Sequence, residues 1–369
     1  MRVPMNDLGL QYVQLQEELD GALDQVLQSC SFIGGPQVEA FEEAFARFCQ
    51  VRHCIGVSNG TDALVLALKA SDIGPGDEVI TSPFTFGATL EAICQVGARP
   101  VLADIEADTF NLDPEQVRLG LTPRTKVLLP VHIYGQTANM GPLLDMAQEH
   151  GLTVIEDAAQ AHGAGYRERP AGSLGTMACF SFYPGKNLGA YGDAGGITTD
   201  NDELAQRLRR LRNHGQDPRK KFWYQEVGYN HRMDGLQGAV LGVKLRYLQA
   251  GNQRRRQLAR RYGEGLADIA VLTLPQEAPY AHHIYHLYVV RSRQRDDLAA
   301  ALKEAGIATT VYYPHPAHLT DAYRFLGYDP GALPEAERAC QEVLALPLFP
   351  DMEDAQADYV IAQVRRYFA

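Results

Sequence analysis

No CxxC pair occurs among the six cysteines (Cys30, Cys49, Cys54, Cys94, Cys179 and Cys340), which argues against a zinc ribbon or a dithiol redox centre. Scattered in this way, they read as small buried hydrophobes. No apolar run approaches the roughly 20 residues needed to cross a bilayer. Met1 to Leu10 has neither a basic n-region nor an apolar h-region, so a soluble, cytoplasmic chain is expected. Positive charge is scarce: 34 Lys and Arg stand against 45 Asp and Glu, a formal charge of -11. That balance speaks against a nucleic-acid binder, whose affinity comes from lysine and arginine displacing counterions. The one tight histidine cluster, His282, His283 and His286, lies in HHIYHLYVV. This stretch reads as a β-strand, whose adjacent residues face opposite ways, and no metal site is expected there.

With 369 residues, 46% of them hydrophobic, the chain can bury a sizeable core and form more than one domain. From Cys54 to Gln160, apolar runs of about five residues alternate with helical patterns, which implies a parallel sheet covered on both faces. Ligands of such sheets bind beyond the carboxyl ends of the strands, where Phe86, His132, Asp157 and Lys186 fall. Helices are expected at about Tyr12 to Gln28 and from Pro36, and later at Asp234 to Leu248 and Arg254 to Tyr262. The composition changes near Gly251. Residues 1–250 are therefore taken as a large domain and 251–369 as a smaller αβ domain, with strands at His286 to Arg291 and in ATTVYYP.

Three places carry possible chemistry. SNGTDAL is a strand, glycine turn and helix start; it is neither a P-loop nor GxGxxG. Gly60 and Thr61 there can receive a phosphate on free amides or simply cap the helix. Asp157 ends a buried strand, where a carboxylate needs a cationic partner unless it serves as a helix cap. Lys186, in SFYPGKNLG, follows the apolar run Ala178 to Phe182 and is flanked by Pro184, Gly185 and Gly189. A loop lysine of this kind is usually solvated. Held partly out of water beside aromatic neighbours, its pKa falls and the neutral amine becomes a nucleophile able to form a Schiff base.

With SNGTDAL, PFTF, EDAAQAHGA, SFYPGKNLG and GYNHRMDGLQGA in this order, the chain resembles the DegT/DnrJ/EryC1/StrS group of pyridoxal phosphate (PLP) enzymes over essentially its whole length. The resemblance implies an α/β, fold-type I aminotransferase: a large domain with a mostly parallel seven-stranded sheet, a smaller C-terminal domain, and a homodimer with shared active sites. It implies that Lys186 bonds to the cofactor and Asp157 pairs with its ring nitrogen. Gly60, Thr61 and Ser181 would bind the phosphate, Phe86 would stack on the ring, and Gln160 would reach its hydroxyl. Asn230 would come from the neighbouring subunit. Arg232, Tyr312, Tyr313 and His318 fall at substrate positions, while His231 is given no role. The activity implied is transfer of an amino group, with L-glutamate as the expected donor, to a keto group of a dTDP- or UDP-linked sugar. Some relatives have histidine in place of the lysine and are dehydratases; the lysine here favours transamination. A nicotinamide oxidoreductase would need a glycine fingerprint that SNGTDAL lacks. A regulatory protein that keeps the pocket without turnover would tolerate loss of Lys186 or Asp157, and both are present.

Overall fold

Asp7 opens the first helix, its carboxylate accepting from the amides of Gly9 and Leu10, and α1 runs over Leu8–Ser29. Pro36 starts α2 (Pro36–Phe48), at a position where no amide donor is needed. The computed structural model describes residues 1–369. Strands β1 (His53–Val57), β2 (Glu78–Thr81), β3 (Arg99–Leu102), β4 (Thr125–Leu129) and β5 (Thr153–Asp157) alternate with helices α3 (Gly60–Ala70), α4 (Ala88–Gln95), α5 (Pro114–Gly120) and α6 (Met140–His150). A short hairpin of β6 (Gly165–Tyr166) and β7 (Arg169–Pro170) precedes β8 (Met177–Ser181), β9 (Gly195–Thr199) and α7 (Asp202–Leu211).

Seven of these strands form one sheet in the order β1-β9-β8-β5-β4-β2-β3. From β8 to β3 every neighbour is parallel, and only β9 runs against both of its partners. The expected mostly parallel sheet is therefore present. Alternation along β8 sends Met177 and Cys179 to a core shared with α3, α4 and α7, and Ala178 and Phe180 to one shared with α2. In the second core Phe45 meets Phe180 and Phe182 edge-on, with ring centroids 4.9 and 5.2 Å apart. With both faces covered, the strands' carboxyl ends are left for ligands.

The chain beyond residue 234 differs from expectation in three respects. One helix, α8 (Gly235–Leu266), replaces the two expected; its 32 residues run about 48 Å at 1.5 Å per residue. Gly251 does not break it, because a helical glycine costs only about 1 kcal/mol and packing holds both ends. Leu241 and Leu248 lie in the sheet's core, while Leu258 and Tyr262 lie in the C-terminal one. α8 thus crosses the expected boundary at 250/251. Val3 crosses it too, packing in the C-terminal core and pairing with Ile307.

HHIYHLYVV is not one strand. Only β10 (Ala281–His282) and β11 (Tyr288–Arg291) are extended. Between them the backbone bonds elsewhere: Ile284 N donates to Gly135 O, and Tyr285 N donates to the ring of His283, against which Tyr285 stacks. ATTVYYP likewise makes only a single bridge, Thr310 to Ala345, because Tyr312 and Tyr313 turn inward onto the cluster of Phe84, Phe110 and Tyr134. β11 pairs instead with β12 (Val343–Leu346), which follows α9 (Arg295–Glu304) and α10 (Pro334–Glu342); α11 (Asp354–Phe368) closes the chain.

Candidate active site

β5 delivers Asp157 at its last position, 5% exposed. Its amide donates to Pro130 O and its carbonyl accepts from His132 N, both at 2.9 Å, so the strand end is tied to the chain leaving β4. The carboxyl accepts from Thr89 Oγ1 at 2.8 Å and from Ala159 N at 3.2 Å, and Thr85 Oγ1 lies 2.8 Å from Thr89 Oγ1. No cation pairs with it. Burial raises its pKa, and the two hydrogen bonds and the charge of Lys186 only partly oppose this.

Lys186 stands just past β8, in a turn closed by its own amide donating to Tyr183 O at 2.8 Å. The side chain is half-buried and makes no hydrogen bond or ion pair. Burial pushes the amine down to about 8, and Asp157 is the group that pulls it back up. The lysine and the acid therefore sense one another electrostatically, across the ends of two adjacent parallel strands.

Gln160 is buried beside them, its Oε1 accepting from Tyr134 N at 2.7 Å and its Nε2 donating to the Tyr313 hydroxyl at 3.2 Å. Tyr313 comes from the C-terminal part and faces Phe86 with ring centroids 6.2 Å apart. Phe86 is 62% exposed, a bare aromatic face at the rim of the cleft. Tyr312 is half-buried, its carbonyl accepting from the Tyr134 hydroxyl. At the other side, Gly60 starts α3 against the end of β8; a Cβ on it would stand 2.6 Å from Ser181 Cβ. Only glycine lets these two chains approach so closely. Thr61 follows in the first turn, where Asn59 caps Asp62 N and the dipole's positive end emerges.

Three further residues lie away from this group, as expected for Asn230, which the resemblance assigns to the neighbouring subunit's site. Asn230 is exposed and Arg232 bonds Asn213 Oδ1 at 3.2 Å; both lie on the segment that runs past β1, and neither makes a polar contact with Lys186, Asp157 or Ser181. His231, between them, reaches Asp62 at 3.1 Å. His318 is buried, with Nε2 3.1 Å from Glu337, and presents no side-chain surface to the cleft.

Sequence reasoning passed over Thr85, Thr89 and Tyr134, and it gave Glu156 no task. Glu156 precedes Asp157 and so points to the opposite face. It is fully buried: Oε1 accepts from Leu174 N and Gly175 N at 2.8 Å, and Oε2 from Gly172 N and His132 Nε2 at 2.9 Å. Ala138 N donates to His132 Nδ1, so the histidine's proton is on Nε2. A run of two acids at a buried strand end was the available signal. Glu156→Ala strands three amides and a ring N–H, and should lower unfolding free energy by about 3–5 kcal/mol in urea titration.

A lysine and a buried acid at adjacent strand ends of this sheet, with a glycine-opened helix start beside them, define the class: the fold is that of fold-type I, PLP-dependent aminotransferases. The comparisons agree. The model of the DegT/DnrJ/EryC1/StrS aminotransferase family matches residues 13–365. The solved structure of Streptomyces venezuelae DesV with a ketimine intermediate superposes with a TM-score of 0.97 at 46% identity, covering 100% of this chain and 98% of that one. A dTDP-3-amino-3,4,6-trideoxy-alpha-D-glucose transaminase of Streptomyces venezuelae is 46% identical, over 99% of this chain and 96% of its own. A pleiotropic regulatory protein of Geobacillus stearothermophilus is 47% identical, over 100% of this chain and 99% of its own. The chain belongs to the DegT/DnrJ/EryC1/StrS aminotransferase family.

Proposed function

We propose that this protein uses PLP to move an amino group from L-glutamate to the keto group of a nucleotide-linked sugar, in amino-sugar biosynthesis. One observation carries the reading: a half-buried lysine amine without any partner stands just past the end of β8, and the adjacent parallel strand β5 ends in a buried carboxyl without a cation. Each lacks what the cofactor would bring. The aldehyde bonds an amine, and a ring N–H⁺ compensates a buried carboxylate.

The remaining residues fit the same group. The α3 start, with Gly60 and Thr61, offers amides to a phosphate, and Ser181 lies against Gly60. Phe86 offers a ring face, and Gln160 an amide beside it. Bound there, PLP supplies a pyridinium ring that takes up the electron pair left on carbon when a C–H bond breaks. Asp157 would hold the proton on the ring nitrogen of the bound group. Lys186 would move the proton from one carbon to the other as general base and then acid. Tyr312, Tyr313 and Arg232 are assigned to the substrate. Asn230, being exposed, is assigned to the phosphate site of a neighbouring copy, so that the working unit is a dimer. The cut at 250/251 is kept as a functional division, with α8 as its rigid link. Six free cysteines fit a reducing, cytoplasmic setting.

The test is spectroscopic. Purified protein should show a near-visible band that shifts with glutamate, and the glutamate-treated form should recover on addition of a keto-sugar nucleotide. Absence of the band from PLP-treated protein would sink the proposal. The likeness to a protein named as a pleiotropic regulator makes a non-catalytic pocket the second reading; it expects the band without the second half-reaction. Gly60→Ala drives a Cβ into Ser181, at an overpacking cost of about 1–3 kcal/mol. Cofactor affinity, titrated by fluorescence, should fall roughly 5- to 150-fold.

A further inference from the structure

The loop carrying Lys186 is held from behind by side-chain hydrogen bonds that the proposed reaction does not use. Asn187, the residue after the lysine, donates from Nδ2 to Asn252 Oδ1 of α8 at 2.8 Å, and its Oδ1 lies 3.0 Å from Nδ1 of His286. Asn252 Nδ2 in turn donates to the backbone carbonyl of His162 at 2.7 Å. The approach is tight: Gly163 has a φ of +93°, and a Cβ there would stand 2.8 Å from Asn252 Nδ2.

A carbonyl only accepts, so the direction of the whole chain follows from its end. Asn252 must give its nitrogen to His162 O, which turns its oxygen to Asn187 Nδ2. Asn187 then has only its oxygen left for His286. His286 must therefore carry its proton on Nδ1.

We infer that Asn187, Asn252 and His286 are positioning residues for Lys186: a one-way hydrogen-bonded chain that ties the lysine loop to α8 and to the segment between β10 and β11. It rests on the role proposed for Lys186. The titratable and charged groups around that loop are Asp157 from β5, His162 beyond it, His286, and Arg255 of α8 beside His286. Burial holds both histidines neutral, His162 at about 3 and His286 well below its ordinary value, with repulsion from Lys186 adding to it. Asp157 is thus left as the charged group acting on the lysine.

Two measurements test this. In purified protein containing nitrogen-labelled histidine, proton–nitrogen correlation spectra should show the His286 ring, identified by its loss in H286Q, protonated on Nδ1 and bare on Nε2. A ring with no proton on Nδ1 overturns the direction of the chain, because Asn187 Oδ1 would then face a second acceptor. In cofactor-loaded protein, Asn187→Ala should lower kcat roughly 10- to 100-fold with an unchanged KM for the sugar nucleotide, and should move the pH midpoint of the visible band. Asn252→Asp, which sets an acceptor against the His162 carbonyl, should do the same. Folded variants that both keep the wild-type kcat and midpoint overturn the positioning role. If wild-type protein shows no band, the reading of Lys186 itself fails, and the histidine spectra still decide the hydrogen-bonded chain.

Discussion

Lys186→Ala should abolish turnover, with kcat falling roughly 10⁴-fold or more. The amine has two tasks that no neighbour can take over. On the proposed reading it would be the bond to the cofactor and the base that carries the proton between carbons. Its nearest titratable neighbours are unsuited: Asp157 is the group proposed to hold the ring nitrogen, and His162 and His286 are held neutral behind the loop. The substitution should leave the fold intact, because the side chain makes no hydrogen bond or ion pair, and its removal relieves the burial that lowers its pKa to about 8. The expected result is a protein with wild-type melting temperature, without the near-visible band of the wild type, and with no product in either half-reaction. A variant that still transaminates at a tenth of the wild-type rate would show that the lysine is not the reacting group.

How much of this was legible beforehand depends on the range of the interactions. The sheet was readable because buried parallel strands are short apolar runs, and each of Val57, Leu129, Ile155 and Phe180 sits in one. The strand-end positions of Asp157 and Lys186 were readable because a charged residue at such a run's end is conspicuous, whereas their roles came only with the family resemblance. The shell around them was not. Thr89 reaches Asp157 across 68 residues of chain and Asn252 reaches His162 across 90, and neither separation leaves any local mark. Gly251 misled for a similar reason. A glycine amid polar residues looks like a linker, yet it lies in the middle of a helix whose two ends are held by different cores. His318 shows the converse error. Its position suggests a substrate contact, but Glu337, 19 residues further on, takes it into the interior.

Asp157→Asn carries the second large effect, and it separates chemistry from stability. An amide fits the same hydrogen bonds: its oxygen accepts from Ala159 N, and its nitrogen can donate to Thr89 Oγ1, whose own proton turns to Thr85. What it cannot do is keep a ring nitrogen protonated, so kcat should fall roughly 10²–10³-fold, the usual cost of losing one preorganised electrostatic partner. Stability moves the other way. Burial raises the folded-state pKa of Asp157 above the ordinary 3.8, so between those two values the folded protein binds more protons than the unfolded chain. Cofactor-free wild type therefore loses stability as pH rises through that window, and Asp157→Asn does not. Melting curves taken from acid to neutral pH should show the cofactor-free variant to be at least as stable as wild type at neutral pH, with the difference vanishing below the unfolded pKa. With cofactor bound the order should reverse, because a cation at the ring nitrogen turns the buried carboxylate from a cost into a partner. Wild-type melting temperatures that climb above those of the variant without any cofactor would mean that Asp157 already has its counter-charge within the chain, and the ring nitrogen would then not be what it awaits.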